Sequence, residues 1–245
     1  MVHRRTTDDT LVVTGANVVA ELLASSQAVE RIWVRSGTGA ELAERAARRR
    51  IPLEQVPPDV LARLVPGGAH QGVVARLAGF RYAELDEIAG APGSAVLVLD
   101  GVQDPHNLGA VVRTARAAGM AGVVIPKDRS VGVTAAVASA SAGHIFGVRI
   151  ARVTNVTRAC EVLKQAGWWL VALVAGTERS VFDLAPEIDR PALVIGSEGS
   201  GIRQLVRATC DFEATIPMAP GVESLNVSVA TGIALYALTQ RASKR

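Results

Sequence analysis

Apolar positions in the second half of the chain fall into short uninterrupted runs, separated by stretches with helical periodicity. Ala95–Leu99 is one such run, and a strand buried on both faces has this composition because neither side meets water. Runs of this kind that alternate with helices predict a parallel sheet covered by helices on both faces. The predicted strands are 95–99, 122–125, 147–150, 168–174, 192–195 and 213–216, and the predicted helices are 107–118, 134–141, 156–165, 202–207 and one that begins near residue 226.

The first third of the chain shows a smaller version of the same alternation. Half-buried strand patterns at 31–35 and 71–77 alternate with helical patterns at 18–24, 41–50 and 60–64. Residues 79–94 then place glycine and proline among acidic residues, which is typical of a linker. The pattern therefore predicts two domains, 1–78 and 95–245, joined by the linker 79–94.

The segment Ile216–Tyr236 is expected to form a polar turn followed by a buried helix. No charged residue occurs between Glu223 and Arg241, so a helix here has no strongly polar face. Ser224 and Asn226 stand where this helix would begin, and both residue types accept hydrogen bonds from the free N–H groups of a first turn. A polar mouth that opens onto buried backbone favours a small-ligand site, although a capped core helix would give the same pattern.

Arginine supplies nearly all of the positive charge, since lysine accounts for three of the 26 Lys and Arg residues and the formal net charge is +3. The helix predicted at 41–50 carries four arginines towards its end: Arg45, Arg48, Arg49 and Arg50. The negative end of a helix dipole explains one or two cations at this place. The remainder favour contact with an anionic partner, because a guanidinium binds phosphate through two hydrogen bonds.

The composition argues against several classes of protein. Of 245 residues, 49% are hydrophobic and only 4% aromatic, which favours α/β layering around Val, Ala, Leu and Ile. Cys160 and Cys210 lie far apart and the histidines are not clustered, so neither a metal site nor a disulfide framework is expected. The N-terminus does not resemble a signal peptide, and no run approaches the ~18 apolar residues of a membrane span. We therefore expect a reduced, cytoplasmic protein without metal.

Three loops at the ends of predicted strands carry the residues of a possible ligand site. They are 100–109, which precedes a helix bearing Arg113 and Arg116, the glycine-rich 195–202, and 216–226. Each alone has a structural explanation; Asn107, for example, is expected to cap the helix that follows it. The second loop superficially matches the G-x-G-x-x-G dinucleotide fingerprint. No acidic residue closes a second strand about 20 residues later, however, so a nicotinamide cofactor is disfavoured.

The three loops together are far more specific than any one of them. Their motifs are Asp100-Gly-x-x-Asp-Pro-x-Asn-x-Gly-x-x-x-Arg113, Ile195-Gly-x-Glu-Gly-x-Gly201 and Ile216-Pro-Met-x-x-x-x-x-Ser-Leu-Asn-Val-Ser-x-Ala230. This set resembles the three motifs of the SpoU/TrmH family of RNA ribose 2′-O-methyltransferases, which belong to the SPOUT superfamily. His70-Gln-Gly-Val-Val-Ala75 and Gly15-x-x-x-Val19 look like the N-terminal RNA-binding domain of the 23S rRNA guanosine 2′-O-methyltransferase subfamily, where relatives commonly have histidine in place of Asn17.

The resemblance implies an α/β fold for both domains. The C-terminal SPOUT domain would be a parallel sheet with helices on both faces and a deep C-terminal trefoil knot, an exception to the usual absence of knots. The N-terminal domain would be a small α/β ribosomal-protein-like RNA-binding domain. The resemblance also implies S-adenosylmethionine as the methyl donor and a homodimer whose active sites are completed across the interface, with the helix at 227–237 contributing to the contact.

The family's functional residues carry over position by position. The resemblance implies a cofactor site of Gly196, Ser197, Ile216, Met218, Leu225 and Asn226, and a catalytic set of Arg113, Asn107, Glu198, Ser224 and Asn226. In this family the arginine activates the ribose hydroxyl. Because arginine rarely loses its proton in proteins, a general base would need unusual help, and stabilisation of the forming alkoxide is the simpler role. RNA contacts are expected from Arg45, Arg48 and Arg49 in the first domain and from Arg116 near the site.

Several alternatives stay open. The RNA could be tRNA or another rRNA nucleotide, as in an antibiotic-resistance paralogue, although a separate N-terminal domain favours 23S rRNA over tRNA enzymes that consist of the knotted domain alone. A non-catalytic RNA-binding relative is disfavoured by the complete set of polar site residues. A nicotinamide oxidoreductase is the least favoured reading.

Overall fold

The computed structural model describes residues 10–184 and 188–239. The first part of the chain contains β1 Leu11–Thr14, α1 Ala16–Ala24, β2 Val29–Arg35, α2 Ala40–Arg48, β3 Leu53–Val56, α3 Pro58–Leu64, β4 Val73–Leu77, α4 Leu85–Ala89, β5 Val96–Asp100 and α5 Pro105–Ala117. The remainder contains β6 Gly122–Pro126, α6 Ala135–Ala140, a 3₁₀ helix His144–Gly147, β7 Ile150–Val153, α7 Val156–Gln165, β8 Trp169–Leu173, α8 Val181–Leu184, β9 Pro191–Gly196, α9 Gln204–Thr209, β10 Phe212–Ala214 and α10 Val227–Thr239.

The described residues group into two compact units. The first unit contains the described residues up to Arg81 together with Val133–Gly147, and the second contains Tyr82–Gly132 and the described residues from Val148 onward. The segment 133–147, which the sequence led us to expect in the second domain, thus groups with the first unit.

The first unit is built on a four-stranded mixed sheet in the order β1-β4-β2-β3. β4 pairs antiparallel with both β1 and β2, whereas β2 and β3 are parallel. One core cluster packs Trp33 and Val74 of the sheet against Leu61 of α3. α1 packs against α2, β1 and β4 through its buried residues Val18, Val19, Leu22 and Leu23.

Segment 133–147 packs closely against α1 within the first unit. α1 contacts the 3₁₀ helix, and α6 contacts β1. At Gly143, where φ is +85°, a Cβ would lie 2.8 Å from the Cα of Val18. Only glycine allows both this backbone conformation and this approach.

The second unit is built on a six-stranded, entirely parallel sheet in the order β10-β8-β9-β5-β6-β7. β5, β6 and β9 are buried along their whole length, which explains their unbroken apolar sequences. This sheet and its helices confirm the α/β class and the parallel sheet predicted from the alternation of strands and helices.

The segment 79–94, predicted as a linker, is ordered as part of the second unit from Tyr82 onward. It contains α4, whose Ile88 and Ala89 belong to the core that also holds Trp168. The indole Nε1 of Trp168 donates a hydrogen bond to the carbonyl oxygen of Ala89 at 2.8 Å.

The strand predicted at 147–150 is wrong in position. Residues His144–Gly147 form the 3₁₀ helix, and β7 runs from Ile150 to Val153, paired in register with β6. Local apolar character could not reveal this register, because the pairing partner of Ile150 is Val123, far away in the sequence.

Candidate functional site

The three candidate loops meet at one edge of the parallel sheet of the second unit. β5, β9 and β10 end at Asp100, Gly196 and Ala214, and the loops follow directly. Because parallel strands have their carboxyl ends at the same edge, the loops emerge together, which is the usual place for ligands in such sheets.

One residue from each loop takes part in a shared hydrogen-bond network. The side-chain amides of Asn107 and Asn226 each donate to Oε1 of Glu198 at 3.2 Å. The Asn226 amide also donates to Oδ1 of Asn107 at 3.0 Å, and the backbone N–H of Val227 lies 3.5 Å from the same Glu198 oxygen. Residues separated by up to 119 positions in sequence are therefore in direct contact.

The structure corrects the expected role of Asn107. Helix α5 begins at Pro105, and its N-cap is Asp104, whose carboxylate accepts from the N–H of His106 at 2.9 Å. Asn107 lies in the first turn and is buried, so its amide is available to the other two loops. Asn226, by contrast, has the capping role expected of it, because its Oδ1 accepts from the N–H of Ser228 at 2.9 Å.

An ion pair between a buried carboxylate, Asp100, and a half-exposed guanidinium, Arg203, joins the first and second loops. The carboxylate of Asp100 is fully buried and accepts from the backbone N–H of Arg203 at 2.9 Å and from its Nε at 2.8 Å. This hydrogen bonding raises the pKa of the Arg203 guanidinium. The pair therefore connects the end of the 195–202 loop, which carries Glu198, to the end of β5, which leads into the loop of Asn107.

The second loop turns so tightly that position 196 has no room for a side chain. A Cβ at this position would lie 2.0 Å from the carbonyl carbon of Gly201, so the loop's own return occupies the space. Ser197 and Gly201 exchange backbone hydrogen bonds of 3.2 and 3.0 Å. The absence of a side chain at Gly196 therefore makes room for the loop's own backbone.

The loops enclose a cavity of about 670 Å³. The six residues predicted to bind the cofactor all line it: Gly196, Ser197, Ile216, Met218, Leu225 and Asn226. Glu198 and Ser224 line it as well. Sequence reasoning missed Leu173–Ala175, Thr215 and Glu223, which also line it. Leu173 ends the apolar strand β8 and the next two residues follow it, so nothing local marks them as part of a site.

Arg113 and Arg116 do not line this cavity. Both are exposed residues of α5, and Arg116 lies in its last turn. Since α5 rises by about 1.5 Å per residue, Arg116 is roughly 14 Å along the helix axis from Asn107. Arg113 makes no hydrogen bond or ion pair with any described residue.

The arginines predicted to bind RNA in the first unit have different surroundings. Arg45 and Arg48 pair with Glu41 and Glu44 one turn earlier on the exposed face of α2. Arg49 instead donates to three backbone carbonyls, those of Leu22, Leu23 and Gln27, at 2.8–3.1 Å. These contacts hold α2 to the end of α1, a structural role that the sequence did not predict.

The turn around Gln71 meets the start of α1. The N–H of Gly15 donates to the carbonyl of Val73 at 3.1 Å, and a Cβ on Gly15 would lie 3.1 Å from Oε1 of Gln71. Asn17 is exposed beside this junction. The two short motifs of the N-terminal part thus form one surface feature.

Neither a metal site nor a membrane span is found in the part of the chain that the structure describes. No group of three or more His, Cys, Asp or Glu side chains among residues 10–184 and 188–239 could hold a metal ion. None of the described helices is both long and apolar enough to cross a membrane.

Residues 94–236 match the SpoU rRNA methylase family, and residues 12–83 match the substrate-binding domain of RNA 2′-O ribose methyltransferases. The chain belongs to the SpoU family. YacO of Bacillus subtilis, which is assigned by name to the TrmH family of tRNA/rRNA methyltransferases, is 42% identical over 91% of this chain and 93% of its own length. SpoU membership makes the protein an S-adenosylmethionine-dependent RNA methyltransferase.

Solved structures of SpoU proteins resemble this one over nearly the whole chain. The SpoU methyltransferase AviRb from Streptomyces viridochromogenes, in complex with the cofactor AdoMet, matches with a TM-score of 0.82 and 26% identity, covering 98% of this chain and 94% of its own. A structure described as an RNA 2′-O ribose methyltransferase matches with a TM-score of 0.73 and 26% identity, covering 97% and 91%.

The cavity suits the cofactor of the SpoU family. Its volume lies within the roughly 300–1,000 Å³ common for small-molecule sites. Apolar side chains such as Ile195, Ile216 and Leu225 line it together with the backbone of the loops, a combination that suits a ligand with an aromatic ring and polar edge atoms. The carboxylates of Glu198 and Glu223 add negative charge, which suits a positively charged sulfonium.

Proposed function

We propose that this SpoU-family enzyme methylates a ribose 2′-hydroxyl, and that its substrate is 23S rRNA, at a guanosine. The observation that carries the proposal is the match of residues 12–83 to the substrate-binding domain of RNA 2′-O ribose methyltransferases. The likeness over 97% of the chain to a structure described as such a methyltransferase supports the same chemistry. The separate N-terminal unit supports rRNA rather than tRNA as the substrate.

The network of Asn107, Glu198 and Asn226 would fix the mouth of the cofactor cavity. A methyl group passes from sulfonium to oxygen by in-line attack, so the three loops must keep the donor in one orientation. Ser224 lines the cavity beside Asn226 and would help to orient the groups that react. The ribose hydroxyl would give up its proton to solvent water, and the positive charge of Arg113 would stabilise the forming alkoxide.

We further propose that Arg113 acts in a homodimer, on the cofactor site of the partner subunit. Arg113 does not line the cavity of its own chain. The neighbouring helix α10, which packs against α5, exposes Val229 by 50% and Tyr236 by 38%. These two residues are seven positions apart and share one helix face, an apolar stripe that fits a contact between copies.

Three further parts of the proposal follow from membership of the SpoU family. The second unit would contain a deep trefoil knot, and the protein would be cytoplasmic. Arg45, Arg48 and Arg116 would contact RNA.

Methyl transfer to defined RNAs tests the proposed chemistry. Purified protein is incubated with radiolabelled S-adenosylmethionine and unmodified transcripts of 23S rRNA and tRNA, and the labelled nucleotide is mapped. A matched transcript with a single 2′-deoxy substitution at that nucleotide provides the control. Methylation of the ribose requires the 2′-oxygen, so the substituted transcript should accept no label. Equal labelling of both transcripts would show methylation of the base and refute the proposal, and labelling of tRNA alone would refute the rRNA assignment.

A further inference from the structure

A short basic loop lies at the same edge of the sheet as the cofactor cavity. This segment, 127–132, follows β6 and is here named the rim loop. In the sheet, β6 is the neighbour of β5, and β5 is the neighbour of β9, which leads into the loop of Glu198. Strands lie about 4.8 Å apart, so the start of the rim loop is roughly 10 Å from the end of β9.

The first half of the rim loop is fastened to β7. The N–H of Lys127 donates to the carbonyl of Val153 at 2.8 Å. The guanidinium of Arg152 donates to the carbonyl of Lys127 at 3.0 Å and lies 5.8 Å from the ring centre of Tyr82. Two neighbouring residues of β7 therefore hold the backbone of Lys127, one at its N–H group and one at its carbonyl group.

The second half of the rim loop is fastened to the loop after β5. The N–H of Val131 and the hydroxyl of Ser130 both donate to the carbonyl of Val102, at 3.0 and 2.9 Å. Next to Val102, a Cβ on Gly101 would lie 3.6 Å from both the carbonyl oxygen of Arg129 and Cβ of Ser197. Only Gly101 therefore separates the rim loop from a residue that lines the cofactor cavity.

The side chains of Lys127 and Arg129 are exposed and form no ion pair or hydrogen bond with any described residue. Many other exposed arginines do have a carboxylate partner, as Arg63 and Arg158 do. Arg129 has a φ of +57°, a backbone conformation that side chains other than glycine seldom adopt. Asp128 cancels one of the two positive charges of the rim loop, and the nearby Arg152 adds one. The rim loop and Arg152 together therefore present a net positive charge beside the cavity.

We propose that Lys127 and Arg129 bind phosphates of the RNA strand next to the target nucleotide. A loop whose backbone is already held in place loses little conformational entropy when its cations bind a polyanion. RNA is the polyanion that this enzyme must hold beside the methyl donor. The contact would place the strand without reading its sequence. The inference depends on RNA being the substrate and not on which nucleotide or atom receives the methyl group.

The test is a double variant, Lys127→Gln with Arg129→Asn. Asparagine tolerates positive φ better than most residues, so the loop keeps its conformation while both charges are lost. We expect the KM for RNA to rise about tenfold or more, while kcat at saturating RNA and the Kd for S-adenosylmethionine change less than about twofold. The slope of log Kd for RNA against log salt should fall by roughly 1.5, because each lost phosphate contact removes about 0.7–0.9.

The control is Arg149→Gln with Lys164→Gln, which removes two exposed positive charges from the opposite edge of the same sheet, one of them the ion-pair partner of Asp211. Arg149 precedes β7, and Lys164 lies in the last turn of α7. Binding is measured directly on an unmodified 23S rRNA transcript, so a failure of the proposed 2′-O chemistry would leave this comparison intact. An equal salt slope in the rim-loop variant, the control and the wild type would overturn the inference. Weakened S-adenosylmethionine binding in the rim-loop variant would also overturn it, since the loop would then have a structural role.

Discussion

Oε1 of Glu198 is the oxygen on which all three loops converge. It receives the amides of Asn107 and Asn226, and the N–H of Val227 points to it at a longer distance. These donors orient the carboxylate, and its negative charge lies beside the cavity at the start of α10. Hydrogen bonds from two amides to one carboxylate oxygen therefore connect the three loops.

Asn226→Asp tests this complementarity. The new side chain still offers an oxygen to the N–H of Ser228 and keeps the helix cap, but it places a carboxylate oxygen where the amide donated to Glu198. Repulsion and the lost hydrogen bonds should weaken S-adenosylmethionine binding about tenfold or more. Calorimetric titration with the cofactor measures this effect.

Ser228→Ala is the control for that variant. Among the residues that the structure describes, the Ser228 hydroxyl donates only to Oδ1 of Asn226, at 2.6 Å, so its loss leaves the Glu198 contacts in place. Cofactor affinity close to that of the wild type is expected. If Asn226→Asp bound the cofactor as well as Ser228→Ala did, the network would not organise the cavity.

The three motifs predicted which of their residues line the cavity, whereas the hydrogen-bond partners of individual side chains could not be predicted. The amide of Asn107 looked like a helix cap because local spacing cannot show that Asp104 begins the helix one turn earlier. The contacts of Arg49 could not be predicted, because its carbonyl partners lie 22–27 positions away in the sequence. Such roles depend on tertiary contacts, which one sequence does not display.

At the scale of elements, the turn after β9 determines where Glu198 can lie. Gly196→Ala would drive a Cβ into the backbone of Gly201, and the turn would have to open. We expect S-adenosylmethionine affinity to fall about tenfold or more, because a shift of about 1 Å in a binding loop has effects of this order.

Gly119→Ala is the matched control for that substitution. Gly119 has a φ of +67° and open space around it, so alanine there introduces backbone strain of about 1 kcal/mol without a clash. It follows α5 at the far edge of the sheet and should leave cofactor affinity unchanged. Equal affinities for Gly196→Ala and the wild type would contradict the crowding seen at the turn.

The packing of α7 against α9 predicts a pH dependence of stability. Burial raises the pKa of the Cys160 and Cys210 thiols from 9.0 to about 12, and proximity to Cys160 contributes to the shift at Cys210. In the unfolded chain both thiols ionise near pH 9, while the folded protein keeps them neutral. Stability is therefore fully present below pH 9 and is lost as pH rises towards 12, by at most about 1.4 kcal/mol per pH unit for each thiol.

Urea unfolding between pH 8 and 10.5 measures this loss. Lysine and tyrosine also titrate in this range, so the comparison is with the double variant Cys160→Ala, Cys210→Ala. Its free energy of unfolding should be lower at pH 8 but should fall less steeply with pH. Parallel slopes for the two proteins would mean that the thiols are not shielded from water.

Elements with strong, uninterrupted patterns were predicted well, and the weak ones were missed. α7 was expected at 156–165 and is observed there. β3 escaped detection because its middle residues, Glu54 and Gln55, are polar and exposed, as on an edge strand. α4 escaped because a five-residue helix among glycines has too few positions to show a period.

At the scale of the whole molecule, the proposed reaction needs Arg113 at a cofactor cavity, and among the described residues Arg113 is not part of the lining of its own chain's cavity. Arg113 is exposed on α5 and lies outside the cavity lining. It is adjacent to Thr114, whose Cγ2 would lie 3.7 Å from a Cβ on Gly232 of α10. The arginine therefore stands at the helix pair whose exposed stripe, Val229 and Tyr236, is the proposed contact with a second copy.

Mixed dimers of two inactive variants decide whether Arg113 acts on the partner's cavity. Arg113→Ala keeps the cavity but lacks the guanidinium, and Leu225→Asp keeps the guanidinium but places a charge in the cavity lining. If each site combines one protomer's cavity with the other's arginine, a mixed dimer regains one working site of two. Random 1:1 mixing after co-refolding or co-expression would then restore about a quarter of wild-type turnover, because about half of the dimers are mixed. Activity no higher than that of either parent would place Arg113 on its own chain's cofactor, and a monomeric mass by light scattering would rule out the dimer itself.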